Sequence, residues 1–241
     1  MNNMIDFKVR TLFPKCEEFG LVLSDEAIDR LETYGNMLLE WNGKMNLTAI
    51  TEPDEVLYKH FYDCLLFFSA VNVPKNASVI DVGTGAGFPC VVLKIARPDI
   101  NITLLDSLNK RTVFLNEVCK SLCLDADIYH LRAEEGGQDS KLRERFDIAC
   151  ARAVGKLNVL AEYLVPFVKT GGLFVAMKGA EIDDELNQSL NAFKLLGCEA
   201  PKVINRDLRE NEKRSFVIAK KISHTPPKYP RNSSKIAKSA L

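Results

Sequence analysis

Apolar residues along this chain change their spacing part-way. In the first third they recur every three or four positions. Ile28, Leu31, Tyr34, Leu38 and Trp41 keep this step, which predicts an amphipathic helix with Ser24 as its cap. A further helix is expected after Thr51-Glu52-Pro53-Asp54, where threonine can cap, proline fits the first turn and an acid stands third. It would present Val56, Leu57, His60, Phe61, Cys64 and Phe67 on its apolar face, before Pro74-Lys75-Asn76 marks a boundary.

Beyond that boundary, short apolar runs alternate with helix-length segments. Strands are expected at 77–82, 101–106, 127–131, 146–151, 172–178 and 215–220, with helices at about 108–122, 156–168 and 181–196. Alternation of this kind predicts an α/β fold, a largely parallel sheet covered by helices on both faces. The expected organisation is a helical extension at 1–74, a sheet domain at 75–222 and a basic tail at 223–241. The stretch from Pro226 to Ser234, rich in proline and serine, reads as unstructured or extended until a partner is present.

Chemistry concentrates where the first strand ends. Asp81-Val82-Gly83-Thr84-Gly85-Ala86-Gly87-Phe88-Pro89 joins that strand to a helix, and alternate glycines let backbone turn tightly and approach a ligand. A dinucleotide loop would read G-x-G-x-x-G, but Phe88 stands where its third glycine or alanine belongs. No Walker lysine follows, which excludes a P-loop. Asp-x-Gly-x-Gly-x-Gly after a first strand resembles the Rossmann-like S-adenosylmethionine-dependent methyltransferases instead. Asp106 ends the second strand, where its carboxylate can accept hydrogen bonds from ribose hydroxyls or cap the next helix, and both roles are compatible. Glu134 and Arg152 follow the third and fourth strands at the carboxyl edge, where ligands bind in open α/β sheets.

Charge and cysteine content add two points. Net charge is zero over 241 residues, yet from Arg206 onward ten Lys or Arg face three acids, so that stretch is +7 and the rest −7. This hints at a polyanionic partner, with a merely solvated basic terminus as the even alternative. Seven scattered cysteines, an odd number without a Cys-x-x-Cys, read as buried reduced thiols, and no metal is expected. No apolar run is long enough to span a bilayer and the start lacks a basic-then-apolar leader, so a cytoplasmic location without membrane contact is expected.

Several short motifs in one order make the chain similar to a single family, the ribosomal RNA small subunit methyltransferase G enzymes, also called glucose-inhibited division protein B. They are Trp41-Asn42 with Asn46-Leu47-Thr48, His60-Phe61-Tyr62-Asp63, the glycine loop through Pro89, and Asp106-Ser107 with Lys110-Arg111. Arg132-Ala133-Glu134, Ala151-Arg152-Ala153-Val154 and Lys178-Gly179 complete the set. Departures from the pattern are Cys64, Cys90 and a tail at Pro230-Arg231 without the usual glycine and prolines. The resemblance implies a class I Rossmann-like methyltransferase sheet, S-adenosyl-L-methionine as cofactor, and methylation of guanine N7 at one guanosine in the helix 18 loop of 16S rRNA. It implies Gly83, Phe88, Ala133, Glu134 and Arg152 as cofactor-binding residues, with Asp106 and Ser107 close by. The partner would be 16S rRNA or the small ribosomal subunit, met by a monomer.

Guanine N7 has an in-plane lone pair and no proton, so no general base is expected, only proximity and orientation. The target base should be looped out, because the major groove of A-form RNA admits side chains poorly. His60 and Asp63 either face the pocket or pack the N-terminal helices on the sheet, and packing is the expectation. Lys110, Arg111, Lys178, Arg206, Arg214 and the tail are candidates for phosphate contacts. The alternatives are a small-molecule methyltransferase, a nicotinamide dehydrogenase and an RNA-binding assembly factor without catalysis.

Overall fold

A computed structural model describes residues 4–153 and 155–241; Met1, Asn2 and Asn3, and Val154 of the Ala151-Arg152-Ala153-Val154 motif, lie outside the described residues. Seven strands form one sheet: β1 (Ser78–Val82), β2 (Asn101–Asp106), β3 (Ala126–His130), β4 (Phe146–Arg152), β5 (Val168–Lys178), β6 (Lys202–Arg209) and β7 (Glu212–Lys220). Their order is β3-β2-β1-β4-β5-β7-β6, parallel through β5, with β7 antiparallel to both β5 and β6. Strand order reverses between β1 and β4. In open α/β sheets the crevice at such a reversal, beyond the carboxyl ends of the strands, is where ligands bind.

The apolar runs look continuous because both faces are covered. Alternate residues nonetheless go to different cores: Val79, Leu104, Ile148 and Val175 to one, Ile80, Leu105, Ala149 and Phe174 to the other. The first core is closed by α1 (Phe13–Glu17), α2 (Asp25–Met45), and a broken helical run of α3 (Pro53–Val56), a π-helical turn at Leu57–Tyr62, α4 (Asp63–Leu65) and α5 (Phe67–Ala70). On the same face lie α6 (Cys90–Ala96) and α7 (Asn109–Ser121). The second core sits under α8 (Ala133–Gly136), α9 (Leu157–Leu164) and α10 (Asp183–Leu196), and the chain ends in α11 (Ser233–Lys238), which buries Ile236. Among the described residues no helix is long and apolar enough to cross a membrane.

Ser24 caps α2 as expected, accepting the Ala27 N–H at 3.1 Å. Thr51 does not cap α3: the cap position is Glu52, without a side-chain bond, and Thr51 is exposed. Proline at the first position already supplies a helical φ and removes one orphan donor, so the segment starts without that cap. Strand β6 was not foreseen. Lys202, Asn205 and Asp207 are exposed and only Leu208 is buried, as fits an edge strand.

The tail is the largest correction. It is not extended and free but packed against the second core, with Tyr229 and Ile236 buried. Arg143 donates to the carbonyls of Tyr229 and Thr225, each at 2.8 Å, which satisfies backbone acceptors that a loose segment would leave to water. Part of the basic bias from Arg206 onward is spent inside the fold, while Lys213, Lys220, Lys228, Lys235 and Lys238 stay exposed. Arg209 pairs with Glu55, Arg214 with Asp63, Lys221 with Glu144 and Arg231 with Glu162, all partners earlier in the chain.

Candidate active site

The glycine loop leaves β1 with Gly83, Gly85 and Gly87 at φ of 74°, 63° and 102°, conformations that side chains bearing a Cβ rarely adopt. At Gly87 a Cβ would come within 2.6 Å of Val91 and 2.8 Å of the Tyr34 hydroxyl. That hydroxyl, on α2, donates to the Ala86 carbonyl, so the N-terminal helix pins the loop from behind. The amides of the loop turn inward. Gly83 and Thr84 N–H groups bond the Leu105 carbonyl, Gly87 and Phe88 bond the Thr84 carbonyl, and Gly85 bonds Asp106 at 2.9 Å. A pyrophosphate-binding loop needs free N–H groups aimed at the ligand, and here they are committed.

Asp106 is 1% exposed and binds within the protein on every side. Its Oδ2 accepts from Gly85 N–H and, at 3.2 Å, from Arg111; Oδ1 accepts from Leu108 N–H at 2.9 Å. It therefore ties the glycine loop to the residue before α7, but it does not cap that helix: the cap position is Leu108, without a side-chain bond to the first turn. Arg111, a phosphate candidate from sequence, is drawn into this group.

Of the residues expected to bind the cofactor, Gly83, Ser107, Ala133 and Glu134 border one cavity and Arg152 a second, while Phe88 and Asp106 border neither. The first, about 190 Å³, is bordered by Gly83, Ser107, Ala133 and Glu134 together with apolar walls from Leu131 and Leu160. Apolar slots edged by a few polar groups suit a nucleoside. No sequence signal pointed to Tyr163 or Ser233, which also line it. The second cavity, about 340 Å³, is bordered by His60, Asp63, Arg152, Lys178 and Arg214. Arg152 ends β4, so the two cavities flank the strand reversal.

Phe88 belongs beside the second group. Its ring is stacked under His60 and carries the Arg152 guanidinium 4.8 Å above its centroid. Arg152 donates Nη2 to His60 Nδ1 at 3.0 Å and Nη1 to both Asp63 and the Lys59 carbonyl at 2.9 Å. With Nδ1 accepting, the imidazole must hold its proton on Nε2, which is 2.9 Å from Thr48 Oγ1. Burial, then the Arg152 charge, push His60 down to about 3, so it is neutral at physiological pH. The second oxygen of Asp63 accepts from Arg214 Nε at 2.9 Å. His60 and Asp63 are thus buried packing residues, as expected, and also border the cavity. The π-helical turn at 57–62 puts Lys59 and His60 within reach of Arg152, in keeping with the frequency of such turns at functional sites.

A family profile described as rRNA small subunit methyltransferase G matches residues 27–214, spanning α2, the glycine loop, both cavities' strand ends and Arg214. The chain belongs to that family. A relative from Alkaliphilus metalliredigens named ribosomal RNA small subunit methyltransferase G is 47% identical over 218 residues, covering 90% of this chain and 91% of the relative. One of the same name from Thermoanaerobacter sp. strain X514 is 45% identical over 235 residues, covering 97% and 98%. A solved SAM-dependent O-methyltransferase from Thermotoga maritima shares the fold at a TM-score of 0.51 and 15% identity, over 78% of this chain and 72% of that one. Members of the family and this wider fold thus agree on a methyltransferase sheet, and the inward-facing glycine loop fits it.

Among the phosphate candidates, Lys178 pairs with Glu185, Arg206 donates to Ser69, and Lys110 reaches the Met45 carbonyl at 3.2 Å. Lys178 and Arg214 still border the second cavity.

Proposed function

We propose that this protein transfers a methyl group from S-adenosyl-L-methionine to N7 of one guanosine in the helix 18 loop of 16S rRNA. Gly83, Ser107, Ala133 and Glu134 would hold the nucleoside part of the cofactor, with Asp106 fixing the loop beneath it. Arg152, seated on the Phe88 ring, would face the side from which the base arrives. Bound there, the cofactor supplies an electrophilic methyl on a sulfonium.

One observation supports this choice of nucleophile above others. Each titratable group bordering the second cavity already has a partner. His60 has its lone pair bonded by Arg152, Asp63 accepts from two arginines, Lys59 pairs with Glu55 and Lys178 with Glu185. A cavity without a free base suits a nucleophile that needs no proton removed, and N7 of guanine is one. The chain's contribution is then to orient the base and exclude water. The guanidiniums of Arg152 and Arg214 give that cavity a positive rim toward an RNA phosphate or the Hoogsteen edge.

Labelled S-adenosylmethionine incubated with small-subunit rRNA and intact subunits from a strain lacking the gene tests this reading. The expected result is label recovered as 7-methylguanosine in the deficient RNA and none in RNA from the parent strain. Label in any other nucleoside, or none despite cofactor binding, overturns it.

A further inference from the structure

The first cavity is not closed by the sheet domain alone. Ser233, the first residue of α11, borders it together with Gly83 and Ala133. The segment that brings Ser233 there is held by a buried anchor. Glu162 on α9 is fully buried, and it accepts three bonds from Arg231: the backbone N–H at 2.8 Å, Nε at 2.7 Å and Nη2 at 2.6 Å. A buried carboxylate with a fork-shaped partner is fixed in direction as well as charge. Glu162 is followed at once by Tyr163 and Leu164, which line the same cavity. One residue, Asn232, separates the anchor from the wall on one side, and none does on the other.

Further bonds remove slack from the segment. Gln138 Nε2 donates to the Pro230 carbonyl at 3.0 Å. Pro230 also lies so close to Gly137 that a Cβ there would sit 2.8 Å from its ring. Beyond Ser233, Ile236 is 1% exposed and seats α11. Lys235 and Lys238 point outward and take no part in this seating.

We infer that residues 225–241 form an outer wall of the cofactor pocket, with Ser233 against the bound nucleoside and the Arg231–Glu162 pair holding that wall in register. This rests on the cofactor reading above and assigns to the basic terminus a place in the small-molecule site. A terminus serving only as an arm for RNA would need none of these inward contacts.

Two full-length variants test it, Ser233→Trp, which fills the cavity from its wall, and Ile236→Asp, which unseats α11 while leaving Arg231 in place. Affinity for S-adenosylhomocysteine is read by calorimetry, and KM for small-subunit RNA at saturating cofactor. The expected result is cofactor affinity weakened about tenfold or more in both, with KM for RNA within about twofold of the parent. Should Ile236→Asp fail to fold, Ser233→Trp, a change at the surface of the cavity, decides alone. Cofactor affinity unchanged in the folded variants, or a loss confined to KM for RNA, overturns the inference. Parent protein that does not bind S-adenosylhomocysteine overturns the underlying cofactor reading instead.

Discussion

The imidazole of His60 lies flat on the ring of Phe88, with centroids 4.4 Å apart and planes 16° apart. One residue comes from the broken helix before the sheet and the other from the glycine loop. Their stack joins the two regions at the point where Arg152 crosses both.

His60→Phe separates the stacking from the hydrogen bond. The ring would still cover Phe88, but the acceptor for Arg152 Nη2 would be gone. Hydrogen bonds to charged groups contribute about 1.5–3 kcal/mol to the folded state, so the thermal midpoint should drop, and kcat, read where the variant is fully folded, should fall as Arg152 loses its orientation. Steady-state methylation and a thermal melt check this. A parent-like kcat would mean that His60 only packs.

Gly85 and Gly87 share a positive φ but not their surroundings. Alanine at Gly85 would meet open space, so Gly85→Ala should cost about 1–2 kcal/mol from backbone alone. Gly87→Ala adds collisions with Val91, Tyr34 and Leu115, and should cost at least about 3 kcal/mol. Urea denaturation of the pair measures the difference.

Asp81 and His60 should tilt stability against pH in opposite directions. Burial pushes Asp81 up to about 7, against hydrogen bonds from Thr84 and Cys90 that favour its charged form. The folded state then holds a proton that the unfolded chain releases near 3.8, so Asp81's contribution is full below that pH and is lost as pH rises through 7. His60, lowered from 6.5 to about 3, contributes fully above 6.5 and its share is lost as pH falls toward 3. Relative to the parent, Asp81→Asn should therefore remove a stability decline between pH 4 and 7, and His60→Phe a stability rise over pH 3 to 6.5. Denaturant midpoints across that range for the three proteins provide the comparison.

Arg231→Ala would leave the Glu162 side chain fully buried without its partner. Breaking a buried pair in this way typically costs about 3–5 kcal/mol, whereas replacing both partners with apolar residues is often neutral. The double variant Glu162→Leu/Arg231→Met should accordingly be more stable than Arg231→Ala, measured by chemical unfolding.

What the sequence made legible was local. The step of apolar residues from Ile28 to Trp41, the glycine loop after Val82 and the carboxylate at Asp106 each announce themselves within a few positions. Strand β6 did not, because Lys202, Asn205, Arg206, Asp207 and Arg209 dilute its pattern on an edge. The division of the candidate residues between two cavities was also hidden. Gly83 and Arg152 are brought together only by the pairing of β1 with β4, and His60 reaches Arg152 across 92 positions. Asp106 read correctly as a carboxylate at a strand end, but its saturation by Gly85, Leu108 and Arg111 depends on how the loop closes. The tail's apparent looseness reflected its composition, while its anchors, Glu162 and Arg143, lie far earlier in the chain.

Tyr34 holds the Ala86 carbonyl across 52 positions of sequence, from a helix that precedes the whole sheet. A chain cut at the Pro74 boundary would lose that restraint, and with it the aromatic cover that Tyr34 and Phe61 give to Phe88. The helices from Phe7 onward thus share one core with the sheet. During synthesis the glycine loop finds these contacts on residues that left the ribosome well before it.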